Sequence, residues 1–242
     1  MLSSFEKYSR IKEYYKFSRL ELMSLGILSV VFGFLFSMNF PGETFRVISW
    51  LKYFFIATII AAISFFSRIS FQKISGLSKG YFAEFKVWWE GVVASIIIAF
   101  LSFGRLPLIL AGGITSSFMV RQRLGEFQYG YSYEENSQIA LTGLTANLLL
   151  ATVFALFKLF FPETSFFSIG IKMNLIMALC FMLPFPQLEG LQIYFGSRFL
   201  YLLGWVIFIL TSLLILTGTK IGLIIIIILA SIIGIVKTLW KT

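Results

Sequence analysis

Apolar residues in this chain come in long blocks rather than in stripes. The blocks fall at about 20–39, 47–66, 87–112, 138–161, 167–186, 199–217 and 221–239. Each is close to the ~20 residues a helix needs to cross the hydrocarbon of a bilayer, so the pattern predicts an all-α polytopic integral membrane protein. The first nineteen residues differ. Lys7, Arg10, Lys12, Lys16 and Arg19 alternate there with Phe5, Tyr8, Ile11 and Tyr15 at helical spacing. That pattern predicts a basic amphipathic helix lying on the membrane surface, opened by a capping box of Ser3 and Glu6. The apolar run behind it is too long for a signal peptide and has no small-residue cleavage pattern.

The third block is unlike the others, with Glu90 near its start, Arg105 and Pro107 in its middle and Gly112-Gly113 at its end. It reads as a short helix followed by a strand or a re-entrant segment. Loop charges favour re-entry. Residues 67–86 carry Arg68, Lys73, Lys79 and Lys86, residues 114–137 carry Arg121 and Arg123, and 162–166 carries no positive charge. Lys and Arg concentrate in cytoplasmic loops, and both basic loops can be cytoplasmic only if the third block enters and leaves by one face. About six transmembrane helices plus a re-entrant segment follow, with both termini cytoplasmic. Arg198, Lys237 and Lys241 fit this arrangement and Lys220 does not. Loop 114–137 mixes aromatics with Gly125 and Gly130 in partial alternation, which predicts a short β-hairpin. The last block, with Ile224 to Ile228, ends at Trp240 at interfacial depth, and Ala230 with Gly234 forms a small-residue pair able to seat a helix.

Composition narrows the class. Apolar residues make up 58% of the 242, charged residues 13%, and mean hydropathy is +0.90. Those values exclude a soluble enzyme and intrinsic disorder. The net charge of +9 is scattered between apolar blocks and forms no stripe, so no nucleic-acid partner is expected; the bilayer is. The chain has no histidine and one cysteine, Cys180. It can form no intramolecular disulfide, and a zinc site would have to be almost all oxygen, an uncommon choice. Cys180, among apolar neighbours, is expected to behave as a small hydrophobe.

Two stretches are unlike generic lipid-facing helix. In IALTGLTANLLLA, residues 139–151, Asn147 stands inside a membrane block, where an amide must face a partner or a cavity. In MLPFPQLEG, residues 182–190, Pro184 and Pro186 break a helix at depth and place Glu189 just beyond; Asn174 precedes them.

Together these stretches resemble the site-2 protease family of intramembrane zinc metalloproteases. Thr142-Gly143-Leu144-Thr145-Ala146-Asn147 is similar to the family's Ala-Gly-Pro-x-x-Asn, and Phe181 to Gly190 to its Asn-x-x-Pro-x-x-Pro-x-Asp-Gly type segment. AEFKVWWEG, 83–91, looks like the linker that archaeal members place after their metal-binding helix. The resemblance spans about residues 60–200. It implies a His-Glu-x-x-His signature on the second block, two histidines on one helix face binding zinc with the Glu activating water. Ungapped counting back from Ala83 puts Arg68, Ile69 and Gln72 at the two histidines and the base, with Glu189 replacing the Asp ligand. A shifted register cannot rescue the motif in a chain without histidine.

The expectation that follows is a catalytically inactive, degenerate member with no zinc and no other cofactor. It would bind an integral membrane partner as a subunit, scaffold or assembly factor in an archaeal cell membrane. Glu189 would pair with Arg68 or Lys73, or else keep a ligand's or partner-binding role. Thr142, Gly143, Asn147, Pro184 and Pro186 are candidate peptide- or partner-binding positions, although Asn147 and Thr142 could equally hydrogen-bond between helices. An alternative is a membrane-embedded peptidase of unusual mechanism, using Glu189 with Asn147 and Thr142. A third is a transporter or channel subunit, against which stands the lack of internal repeats. The expected organisation is a basic segment 1–19, a membrane helix and the start of a second over 20–59, the site-2-protease-like core 60–200, and a C-terminal two-helix hairpin 201–242.

Overall fold

The computed structural model describes residues 4–38, 46–119 and 132–217, together with Gly222. Helix α1, Ser4–Tyr14, leads through a short link to α2, Arg19–Ser37. The capping box expected at Ser3 lies outside the described residues, and one occurs at Ser18. The Ser18 hydroxyl accepts from the Glu21 N–H at 3.1 Å, and the Ser18 N–H donates to the Glu21 carboxylate at 2.8 Å. Two of the orphan amides at the α2 start are thereby satisfied.

Helix α3, Val47–Lys79, is 33 residues long and corrects the loop expected over 67–86. Ser67 to Lys79 continue the helix, and Arg68 and Lys73, counted above as loop charges, are buried. Gly80 ends α3 in the left-handed conformation, φ 84°, where a side chain is costly. Strand β1, Tyr81–Val87, follows.

The third apolar block divides as expected. Helix α4, Trp89–Leu101, is followed by an irregular return and then strand β2, Gly112–Phe118. The strands pair antiparallel, from Tyr81↔Phe118 to Val87↔Gly112. The chain therefore leaves the sheet at Val87 and comes back beside it at Gly112, the geometry of a re-entrant element. Irregular backbone at membrane depth must find partners inside the protein, and this return does. The Leu110 N–H donates to the Ser95 hydroxyl at 3.0 Å, Ile109 N–H to Cys180 Sγ at 3.3 Å, and Trp88 N–H to the Ala111 carbonyl at 2.9 Å. Cys180 is a packing residue with one acceptor task. The strand that pairs with β2 lies upstream, and the hairpin expected within 114–137 falls largely on residues 120–131, outside the described set.

Helix α5, Tyr133–Phe160, α6, Ser165–Met182, and α8, Arg198–Leu216, complete the long helices, with the short α7, Glu189–Gly196, between the last two. Among the described residues five helices, α2, α3, α5, α6 and α8, are long and apolar enough to cross a membrane. The sixth expected span, with Ile224 to Ile228, Ala230, Gly234 and Trp240, lies outside them. Outward-facing apolar side chains such as Leu20, Phe55, Phe199 and Leu216 are exposed, as lipid contact requires. The core lies between α2, α3, α5 and α6, filled by Leu28, Phe32, Phe65, Ile69, Met177 and Phe181 among others.

Re-entry makes a topological prediction. Cysteines placed at the exposed, paired positions Glu84 and Thr115 will be labelled by an impermeant maleimide from one side of the membrane. Glu163→Cys, beyond the full length of α5, will be labelled from the other. Labelling of Glu84→Cys and Thr115→Cys from opposite sides would make α4 a full span.

Candidate functional site

Arg68 and Gln72 stand four residues apart on α3, so they share a helix face, and that face packs on α5. Both are buried. The Gln72 side-chain amide reaches the Ala140 carbonyl at 3.4 Å. Gly143 is what lets α5 come this close: a Cβ there would collide with the Gln72 amide and lie 3.0 Å from Arg68 Cζ. Ile69, the intervening position, is wholly buried in the apolar core and offers no chemistry.

The other half of the site comes from α7. Helix α6 stops at Met182, the exposed Pro184 and Pro186 carry the chain around a bend, and Glu189 is the first residue of α7. An acidic side chain is favoured there by the helix dipole. The Arg68 guanidinium donates to the Glu189 carboxylate, and each side chain is 1% exposed. The guanidinium also lies 3.6 Å above the Phe181 ring of α6, a cation–π contact strengthened by desolvation. One ion pair thus ties α3, α6 and α7 together while Gly143 admits α5. Of the two cations considered for Glu189, Arg68 makes the pair. Lys73 faces elsewhere, donating to Glu21 of α2 at 2.9 Å.

Among the described residues several polar atoms here have no hydrogen-bond partner: Arg68 Nε and Nη1, Gln72 Oε1, Glu189 Oε1, and both amide atoms of Asn147. Buried donors and acceptors left unpaired cost about 1–3 kcal/mol each, so this cluster carries unspent capacity of both kinds. Asn147 lies one helical turn beyond Gly143 and is 1% exposed, facing inward. Thr142 does not join it, because its hydroxyl donates to the Ile139 carbonyl of its own helix at 2.6 Å. Pro184 and Pro186 contribute the bend and no inward surface. The Asn174 amide donates to the Gly170 carbonyl of its own helix at 2.9 Å, and among the described residues its Oδ1 has no partner.

Three contributors carried no site role in the sequence. Gln192 of α7 donates to the Ile114 carbonyl of β2 at 2.9 Å, joining the re-entrant sheet to the site; nothing local to Gln192 signals this. Phe181, one of 29 phenylalanines, is equally silent. Glu21 could have been found, since Ser18-x-x-Glu21 directly precedes an apolar run.

The donor set does not suit zinc. Where the resemblance places two imidazoles stand a fixed cation and a carboxamide, and the remaining carboxylate is already taken by that cation. Among the described residues no group of three or more His, Cys, Asp or Glu lies together.

The chain is a helical, membrane-embedded protein with a small two-stranded sheet set into its core elements. It is similar to the Methanocaldococcus jannaschii protein named "Putative zinc metalloprotease MJ0611", with 28% identity over 191 residues, covering 77% of this chain and 90% of that one. This similarity supports the site-2-protease-like relationship read from the motifs. No family model and no solved structure matches the chain.

The pair and its glycine make a stability prediction. Arg68→Met strands the Glu189 carboxylate in the core and should destabilise the protein by about 3–5 kcal/mol, read from thermal unfolding in detergent. Adding Glu189→Leu should recover most of that loss, because no unpaired charge then remains. Gly143→Val should destabilise through collision with Gln72 and Arg68 without changing any charge.

Proposed function

We propose that this protein is a metal-free, site-2-protease-like membrane protein that binds a membrane-protein partner without cleaving it. The Arg68–Glu189 ion pair carries the reading. A guanidinium fixed on the carboxylate that would serve as third ligand adds a permanent positive charge where a dication would sit, and Coulomb repulsion between the two is only weakly screened by salt at this burial. The base position is Ile69, which can activate no water. What the scaffold keeps is a two-stranded sheet joined to the site through Gln192, and a sheet edge can take an extended main chain by strand addition. The protein would act as a subunit, scaffold or assembly factor in a cell membrane, archaeal by its likeness to archaeal members, with both termini cytoplasmic.

A second reading, a working peptidase, is favoured by the name of the relative. The two differ in measurable ways. The purified full-length protein should contain no stoichiometric zinc by elemental analysis and should cleave no membrane substrate, with or without chelator. A tagged copy drawn from its native membrane in mild detergent should bring a stoichiometric partner, lost in Asn147→Leu while the fold persists. Chelator-sensitive cleavage would establish the peptidase, and recovery of the protein alone would remove the scaffold role.

A further inference from the structure

We propose that the cleft between the α1–α2 link and β1 is a headgroup site for a lipid carrying a primary ammonium beside a phosphate, the phosphoethanolamine type. The cleft encloses about 400 Å³, within the span of small-molecule sites, and opens on a different face of α3 from the Arg68 cluster. On its wall is Lys73, 6% exposed. The Lys73 ammonium has three N–H donors and uses two of them, on Glu21 Oε2 at 2.9 Å and the Lys16 carbonyl at 3.1 Å. Among the described residues the third has no acceptor, and the ammonium lies 5.0 Å from the centroid of the Phe17 ring, which also lines the cleft. Lys16 and Ser18 line the same space; the Ser18 hydroxyl accepts from Glu21 N–H and keeps its own proton to donate.

Two further lining groups make the opposite demand. Glu13 and Glu84 border the cleft, and among the described residues neither carboxylate has an ion-pair partner. An anion would satisfy Lys73, Lys16 and Ser18 while being repelled by the two carboxylates. A simple cation would meet the reverse conflict. A zwitterion with phosphate and ammonium a few bonds apart answers both sets. A primary ammonium suits Glu13 and Glu84 better than a quaternary one because only the former can donate hydrogen bonds to them.

The surroundings favour a lipid as the carrier. The cleft sits where α2 begins and α3 ends, the headgroup level for helices that cross the hydrocarbon. Along those helices, next to the cleft, Leu20 and Met23 of α2 and Phe71 and Ile74 of α3 turn exposed apolar side chains outward. Acyl chains can lie against that surface while the head occupies the cleft.

The test uses the full-length protein, delipidated in detergent and offered phosphatidylethanolamine, phosphatidylcholine or phosphatidylglycerol with identical acyl chains, with retention read by native mass spectrometry. Phosphatidylethanolamine should be held roughly threefold to tenfold better than either other lipid. The double variant Glu13→Gln/Glu84→Gln, which touches only exposed side chains without ion-pair partners, should lose that preference, and Glu163→Gln on the distant α5–α6 link should keep it. Free phosphoethanolamine is added as competitor. Displacement by it would show that the head alone is recognised and that a soluble source can fill the site, and resistance to it would show that the acyl chains are needed. Equal retention of the three lipids, or an unchanged preference in the double variant, would overturn the assignment.

Discussion

A charge carried into the interior of a membrane protein must meet a counter-charge there, and in this chain that constraint organises the helices around α3. Arg68 lies too deep to reach water, so the fold brings Glu189 to it across 121 residues of sequence. Doing so requires the two prolines to end α6 early, α7 to start at the carboxylate, and α5 to present a glycine where its backbone crosses the pair. The pair is weak evidence for stability in itself, since a well-packed apolar substitute can match a buried salt bridge. Its importance is that half of it cannot be left alone, so α3 and α7 hold a single relative placement.

A second buried pair repeats the logic on another face of the same helix. Lys73 engages Glu21, whose carboxylate also accepts the Phe85 N–H of β1 at 3.1 Å and closes the capping box of α2. One carboxylate therefore fastens the first membrane helix, the end of α3 and the edge strand of the sheet. The link before it is secured as well: Tyr15 donates to the Ser70 hydroxyl at 2.9 Å, and Phe17 stacks on Phe66 with centroids 5.2 Å apart. The basic N-terminal segment is thus joined to the body by specific contacts.

The long helices were legible because span length is set by the bilayer, and length survives any error of a few residues. The end of α3 was not, because an internal charge and a loop charge look alike in one dimension: Arg68 and Lys73 entered the loop count although they are buried. The re-entrant block announced itself through Arg105, Pro107 and the paired glycines. Its strand partner did not, since β1 and β2 are separated by a helix, and alternation within 114–137 pointed downstream instead. At the site, the positions of Arg68 and Glu189 came from a motif resemblance and the inward turn of Asn147 from the cost of an amide in hydrocarbon. The self-satisfied hydroxyl of Thr142 and the cross-element bond of Gln192 depend on side-chain rotamers and packing, which no linear pattern encodes.

The pairing of Val87 with Gly112 has a bearing on biogenesis. Because the segment between them leaves and rejoins the sheet at one end, a re-entrant path there would add nothing to the parity of the chain's crossings. On that path no flanking polar stretch would be translocated on its account, and α4 could be threaded inward after the neighbouring spans had been laid down. The same parity means that lineages could lengthen, trim or discard this excursion without inverting a single downstream helix, a freedom that none of the full spans has.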